Sequence, residues 1–501
     1  MEKHINIRKG DQAAFRNRTS MCVGTGRVDL ALHEEYQKEL RFVQEKCHFQ
    51  HMRGHGLFSD QMGIYQEHID DQGAKHVEYR FTYLDRVMDS YLENGMKPFL
   101  ELGFMPKALA AGEQTIFYWQ GHTTPPKDMD AWCALVQETL RHLVKRYGRE
   151  EVESWPCEIW NEPNLAGFWE NADKQKYLEL YRATALAVKT VLPQMPVGGP
   201  AICGGEGSQQ WIDDFLSFCK QNHLPVDFVT RHAYMGQTPE RKGKYLYHPM
   251  GSVEGLIQEM QVSRNIIDSY PEYMGLPLYI TEFNTSYNPL CPIHDTNYNA
   301  ALCAGLLSRL GDVAEGYSYW TFGDVFEESG IPPRPFHGGF GLMANGLIPK
   351  PTLWAFSFFA DLQGDAVYKD DAAVLVKRNG GGYEGVLWNL REMGSRETLE
   401  VQLAVPIAEE AVALIDRVDE ETCNPLKTWH LMGEPFDLNQ EQLSFLRAVG
   451  QPRQEVVQPE RDGEQAVIRL TLSPNALLRV RILPVERQLD EGYDYGYYCQ
   501  D

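Results

Sequence analysis

Residues 157–164, CEIWNEPN, form a short apolar run that ends in an asparagine, a glutamate and a proline, a place where burial makes charge expensive. Before them lies WCALVQETLRHLVKRYG (132–148) and after them KQKYLELYRATALAVKTV (174–191). Both repeat apolar residues at intervals of three and four, which predicts amphipathic helices. The strand between two helices is one unit of a longer pattern. Strands are expected near Thr19 to Val23, Phe49 to Arg53, Pro98 to Gly103, Cys157 to Asn161, Pro196 to Gly199, Phe228 to His232, Leu278 to Glu282 and Tyr317 to Thr321. Helix-period segments separate them, including ALHEEYQKELRFVQEK (31–46), FTYLDRVMDSYLENG (81–95), WIDDFLSFCKQN (211–222), VEGLIQEMQVSRNIIDSY (253–270) and NYNAALCAGLLSRLG (297–311). Eight strand–helix alternations predict a (β/α)8 barrel.

A doubly wound open sheet is the competing class, with fewer strands and a glycine-rich first turn. VGTGRVDL (23–30) carries only part of that fingerprint, so the barrel is preferred. From about residue 360 the period changes to two: AAVLVKRNGGGYEGVLWNL (372–390), ETLEVQLAVP (397–406), AVALIDRVD (411–419) and QAVIRLTLSPNALLRVRILPV (465–485) read as an antiparallel β-sandwich. The expected division is a barrel at 14–350, a sandwich from 1–13 and 351–487 with the first residues as an added strand, and a tail at 488–501. No low-complexity linker intervenes, so close packing of the two domains is expected. The tail carries four tyrosines among acidic residues and is expected to dock on a surface, such as another subunit.

Composition excludes several partners. The chain has 501 residues and a formal charge of -23, the wrong sign for nucleic acid or an anionic membrane surface. No stretch approaches the roughly 20 apolar residues of a spanning helix, and MEKHINIRKGDQAAF (1–15) lacks the apolar centre of a secretory signal, so a cytoplasmic location is expected. Ten cysteines are scattered without a C-x-x-C pair or zinc spacing, as reduced thiols used for packing would be. The 25 tyrosines and 10 tryptophans exceed ordinary packing needs and suit a sugar-binding cleft.

In such a barrel, catalytic residues gather at the carboxyl ends of the strands. Glu162 closes the fourth expected strand and Glu282, in LYITEFN (278–284), closes the seventh. Two facing carboxyls suit glycoside hydrolysis, one protonated to serve the leaving oxygen and one ionised to meet the sugar's reactive carbon. A single strand-end glutamate is more often a cap or an ion-pair partner, but two of them beside asparagines favour chemistry. Asn161 and Glu162 alternate across a regular strand, so both reach the mouth only if the strand ends or bulges there, with Pro163 holding Glu162 extended.

IWNEPN with the later ITEFN resembles the strand-four and strand-seven motifs of clan A retaining glycosidases. RGHG (53–56), FYWQGHTTPPKD (117–128), RHAY (231–234) and FEESG (326–330), in that order, resemble glycoside hydrolase family 39 and its β-xylosidases. The resemblance implies that Glu162 is the acid/base and Glu282 the nucleophile of a double displacement, and that the carboxyls stand about 5 to 5.5 Å apart. It implies Arg53 and His55 as holders of the nucleophile and a sugar hydroxyl; Arg53 could instead pair with Glu158. Asn161 would bond the sugar 2-hydroxyl. His232 and Tyr234 become contacts to the sugar and to Glu282, Trp320 the floor under the ring, and Phe117 the wall at the non-reducing end. Glu327 and Glu328 would accept from sugar hydroxyls, or form a solvated acidic loop. Like-charge repulsion from Glu282 is expected to raise the pKa of Glu162.

His48, His51 and His55 have helical spacing on an expected strand, so no metal is expected; no cofactor is needed either. The family also contains α-L-iduronidases, but two glutamates near the sugar would repel a uronate, so a neutral pentose is preferred. The expected activity is a retaining exo-β-1,4-xylosidase acting on short xylo-oligosaccharides, in a tetramer. The alternatives are an arabinopyranosidase, glucosidase or iduronidase of the same fold, and a silent carbohydrate-binding protein.

Overall fold

The structure is a computed structural model that describes residues 1–486 and 490–499. It divides into two compact units: Phe15–Asp361 with Cys423–Gln451, and Met1–Ala14 with Leu362–Thr422 and Pro452–Asp501.

The larger unit holds eight parallel strands closed into a barrel: β1 (Cys22–Arg27), β2 (His51–His55), β3 (Lys97–Leu102), β4 (Cys157–Ile159), β5 (Val197–Ile202), β6 (Phe228–Tyr234), β7 (Leu278–Asn284) and β8 (Gly316–Tyr319). They neighbour one another in chain order, β8 returning to β1. Helices follow the strands, and several begin on side-chain caps that satisfy orphan amides: Asp128 accepts from Ala131 N, Asp173 from Lys176 N, and Ser252 from Gly255 N. All eight expected strands are present, with shifted ends. β4 stops at Ile159, three residues before Glu162, whereas β7 runs two residues beyond Glu282.

Alternate strand residues face the barrel interior. At the amino end, Cys22, Phe99 and Phe228 pack together with Tyr279 against them, the Phe99 and Phe228 ring centroids 5.7 Å apart. Two residues further on, β3 places Glu101 where Phe99 stood one layer below. β2, β4 and β7 contribute Arg53, Glu158 and Thr281 at that level, and Thr281 Oγ1 donates to Glu158 Oε1 at 2.8 Å. The interior thus changes from apolar to charged within one step of the pleat, roughly 7 Å.

The smaller unit contains a four-stranded and a six-stranded sheet whose inner faces share one apolar core, including Ile5, Leu403, Ile468, Leu375, Ile415 and Val480. The first strand, Glu2–Asn6, departs from the antiparallel expectation: it pairs in parallel with Leu399–Val405. The division also differs from the expected one. Pro351–Ala360 lies in the barrel unit because all ten of its residues are buried, with Phe356 against Phe283 and Tyr319. Residues 423–451 join the same unit, where Trp429 and Leu446 pack with Phe336, Ala344 and Ile348. Within the expected tail, residues 488, 489, 500 and 501 lie outside the described residues, and Tyr493, Tyr495, Tyr497 and Tyr498 are exposed.

Candidate active site

Glu162 sits in the turn after β4. Trp160 and Glu162 both adopt left-handed backbone, φ 71° and 44°, and this double turn brings Asn161 and Glu162 to the same side. The expectation that Pro163 keeps Glu162 extended is therefore corrected: the turn defeats strand alternation, and the Glu162 amide, donating to Ala201 O at 2.9 Å, ties it to β5. His232 Nδ1 lies 2.7 Å from Glu162 Oε1.

Glu282 is held from two sides. Arg53 Nη1 donates to its Oε1 at 2.8 Å and the Tyr234 hydroxyl to its Oε2 at 2.7 Å. Arg53 is fully buried and also donates from Nε to Glu158 at 2.6 Å and from Nη2 to Asn161 Oδ1 at 2.9 Å. The two readings of Arg53, partner of Glu158 and holder of Glu282, are both satisfied by one guanidinium, whose fork serves several directions at once. With its oxygen engaged by Arg53, Asn161 keeps a buried Nδ2 that has no partner among the described residues and can meet a hydroxyl.

His232 Nδ1 also stands 3.4 Å from Glu282 Oε2, and the facing oxygen and nitrogen atoms of Glu162, His232 and Glu282 lie within 4.8 Å of one another. That separation matches a retaining carboxyl pair; an inverting pair, at about 6.5 to 9.5 Å, leaves room for a water. These three are also the group, among the described residues, spaced to hold a cation, although their facing atoms are already engaged by His232, Arg53 and Tyr234. His48, His51 and His55 do not converge: His48 is exposed at a helix end and His51 Nδ1 turns to Met21 O.

Burial pushes the Glu162 carboxyl well above the usual range, and the Glu282 charge adds to the shift. Desolvation therefore leads the repulsion that the sequence suggested as its cause. Burial raises Glu282 as well, but there Arg53, His55 and the Tyr234 hydrogen bond oppose it. The asymmetry leaves the proton on Glu162 and the charge on Glu282. Burial keeps both histidines neutral, His55 lowered to about 3 and His232 well below its ordinary value.

A cavity of about 600 Å3 opens over the pair. Of the expected contacts, His55, Phe117, Asn161, Tyr234, Trp320 and Glu328 line it; Arg53 and His232 stand behind the lining. Trp320 follows β8 directly, and Gly24 on β1 makes room for its indole, since a Cβ there would lie 2.4 Å from Trp320 Cε3. Phe117 stacks on His55, centroids 6.0 Å apart, and on Trp119. Glu327 is the expectation to correct. It is not part of the lining, because Arg27 Nη2 donates to its carboxylate at 2.5 Å. The sequence reading also missed Leu165, Phe168, Cys203, Tyr287 and Asn288 in the wall, which lie on loops without periodicity. It missed Glu101 too, whose signal was present: a carboxylate inside the apolar run PFLELGF (98–104). The abundance of tryptophan belongs mostly to packing, as Trp132, Trp155, Trp160, Trp169 and Trp388 are fully buried.

A paired carboxyl site of this spacing at the carboxyl face of a (β/α)8 barrel defines a retaining glycoside hydrolase. The family model described as glycosyl hydrolases family 39 matches residues 4–466, and the chain belongs to that family. It is 45% identical over 500 residues to a β-xylosidase of Geobacillus stearothermophilus, covering 98% of this chain and 97% of that one. A β-xylosidase of Caldicellulosiruptor saccharolyticus is 34% identical over 445 residues, 87% and 89% of the two chains. Among solved structures, a monomeric β-xylosidase from Caulobacter crescentus CB15 superposes with a TM-score of 0.87 at 32% identity, covering 97% of this chain and all of that one.

Proposed function

We propose that this glycoside hydrolase is a retaining exo-β-1,4-xylosidase that releases xylose from the non-reducing end of short xylo-oligosaccharides. The carrying observation is the single ring nitrogen of His232 that faces both carboxyls, 2.7 Å from Glu162 and 3.4 Å from Glu282. In the first step Glu162 gives its proton to the glycosidic oxygen as the C1–O bond breaks and Glu282 forms a bond to C1. In the second, a water gives its proton to Glu162 while its oxygen attacks C1, and the Glu282–C1 bond breaks. Glycosylation removes the Glu282 charge, which lets Glu162 become the base.

The sugar would lie on Trp320, with Asn161 Nδ2 and His55 at its hydroxyls, Glu328 accepting from another, and Phe117 closing the end beyond. The relatives named β-xylosidases favour a neutral pentose, xylose. Early turnover of xylobiose followed by NMR should give β-xylose before mutarotation; α-xylose would overturn the mechanism. A panel of chromogenic glycosides tests the sugar, and preference for an arabinopyranoside, glucoside or iduronide would overturn the substrate.

Ten cysteines without a disulfide support a cytoplasmic location, and fractionation of the native cell tests it. A tetramer is proposed from the family resemblance and from the exposed tyrosines at 493–498, a surface fit for a second copy. Light scattering tests it, and a monomer would overturn it.

A further inference from the structure

Glu101 on β3 has no part in the two steps above, yet it is 2% exposed and touches two of the groups that surround Glu282. Its Oε2 lies 2.7 Å from His55 Nδ1 and 2.9 Å from Arg53 Nη2. The other ring nitrogen, His55 Nε2, lies 3.5 Å from Glu282 Oε1 and 3.9 Å from Glu328 Oε1 and lines the cavity. A neutral imidazole carries one proton, so the partner of Nδ1 decides what Nε2 presents to the substrate.

Three observations fix that partner's state. Glu101 Oε1 is buried without a hydrogen-bond partner among the described residues, which a carbonyl oxygen tolerates far better than half of an anion does. Arg53 is the cation of the cluster and already donates to Glu158 and Glu282, so a third carboxylate on it would go unmatched. Finally, Nε2 faces two carboxyl groups, an arrangement that attracts an N–H and repels a lone pair. We propose that Glu101 is a protonated positioning residue whose carboxyl donates to His55 Nδ1, fixing the imidazole proton on Nε2, where it points at Glu282 and at a hydroxyl of the bound sugar. Burial, which raises Glu101 to about 8, agrees with this state. Glu101 thereby acts through His55: it keeps a neutral donor beside the nucleophile without adding a charge to it.

The inference rests on the glycosidase reading, but its first test needs no substrate. In protein labelled with 15N-histidine, with His55 assigned by its loss in His55→Gln, the proton should sit on Nε2. A proton on Nδ1 would overturn the proposal and leave the glycosidase reading intact. Kinetics supply the second test. Glu101→Ala should lower kcat/KM on an aryl xyloside by about 10- to 100-fold, because Nδ1 loses its donor and the tautomer is no longer set. Glu101→Gln, whose amide can donate to His55 Nδ1 but cannot accept from Arg53 Nη2, should recover part of that loss with the proton still on Nε2. An equal loss in both variants, with both folded by circular dichroism, would overturn the assignment. A parent enzyme inactive on every xyloside would sink the substrate reading and not this one.

Discussion

The lower and upper layers of the barrel interior share β3 and β7, and on β3 they differ by one step of the pleat, from Phe99 to Glu101. Below, Cys22, Phe99, Phe228 and Tyr279 fill the space as an ordinary core does. Above, one arginine is surrounded by Glu101, Glu158 and Glu282, with Glu162 and Glu328 close by. The lower layer is arranged for stability. The upper layer gathers more carboxyls than its cation can match and holds them in place through protons and through the packing beneath. Function is therefore supported by the apolar layer and is paid for there.

Substitutions should separate the two layers. Glu282→Ala should reduce xyloside hydrolysis by about 10⁵-fold or more while leaving Tm no lower than the parent's, since it relieves a crowded anionic site. A lowered Tm would break the contrast. Glu162→Ala should cost about 10³-fold on xylobiose and much less on substrates with good leaving groups, because only the poor leaving group needs the proton. Equal losses on both substrates would count against its role as acid. Phe99→Ala, in the lower layer, should do the reverse: a loss of about 3 to 5 kcal/mol in chemical denaturation, with kcat on the folded fraction close to the parent's.

The smallest effect is a slope with pH. Glu101 keeps its proton up to about 8 in the folded chain, whereas the unfolded chain releases it in the ordinary glutamate range near 4.5. Between those limits the folded state binds more protons, so its stability falls as pH rises, by at most about 1.4 kcal/mol per pH unit from this group. Its contribution is fully present below the window and lost above it. Glu101→Gln should flatten that part of a plot of stability against pH, and an unchanged slope would argue that Glu101 is ionised throughout.

Much of this was legible in the sequence because alternation in burial leaves a periodic trace. All eight barrel strands, and Glu162 and Glu282 as an opposed pair, could be read from apolar runs ending in polar residues. What failed is what periodicity does not carry. The turn at Trp160 and Glu162 depends on left-handed backbone in residues that rarely adopt it, so the end of the strand there was anticipated but the extended backbone expected from Pro163 was not found. Glu327 and Glu328 are neighbours in a loop, and only the position of Arg27 in space decides which one leaves the cavity. Glu101 was missed although, like Glu158, it is a carboxylate inside an apolar strand, because no neighbouring motif drew attention to it. The boundary near residue 351 was missed because a helix buried on all sides has no amphipathic signature to assign it to one unit.

The parallel pairing of Glu2–Asn6 with Leu399–Val405 has a consequence for biosynthesis. Glu2–Asn6 meets its partner only after nearly four hundred further residues are made, on the order of 20 to 80 s at ordinary elongation rates. Until then its apolar side chains, Ile5 among them, have no sheet to join. The small unit is therefore completed only after Leu399–Val405 and the strands beyond it have been made.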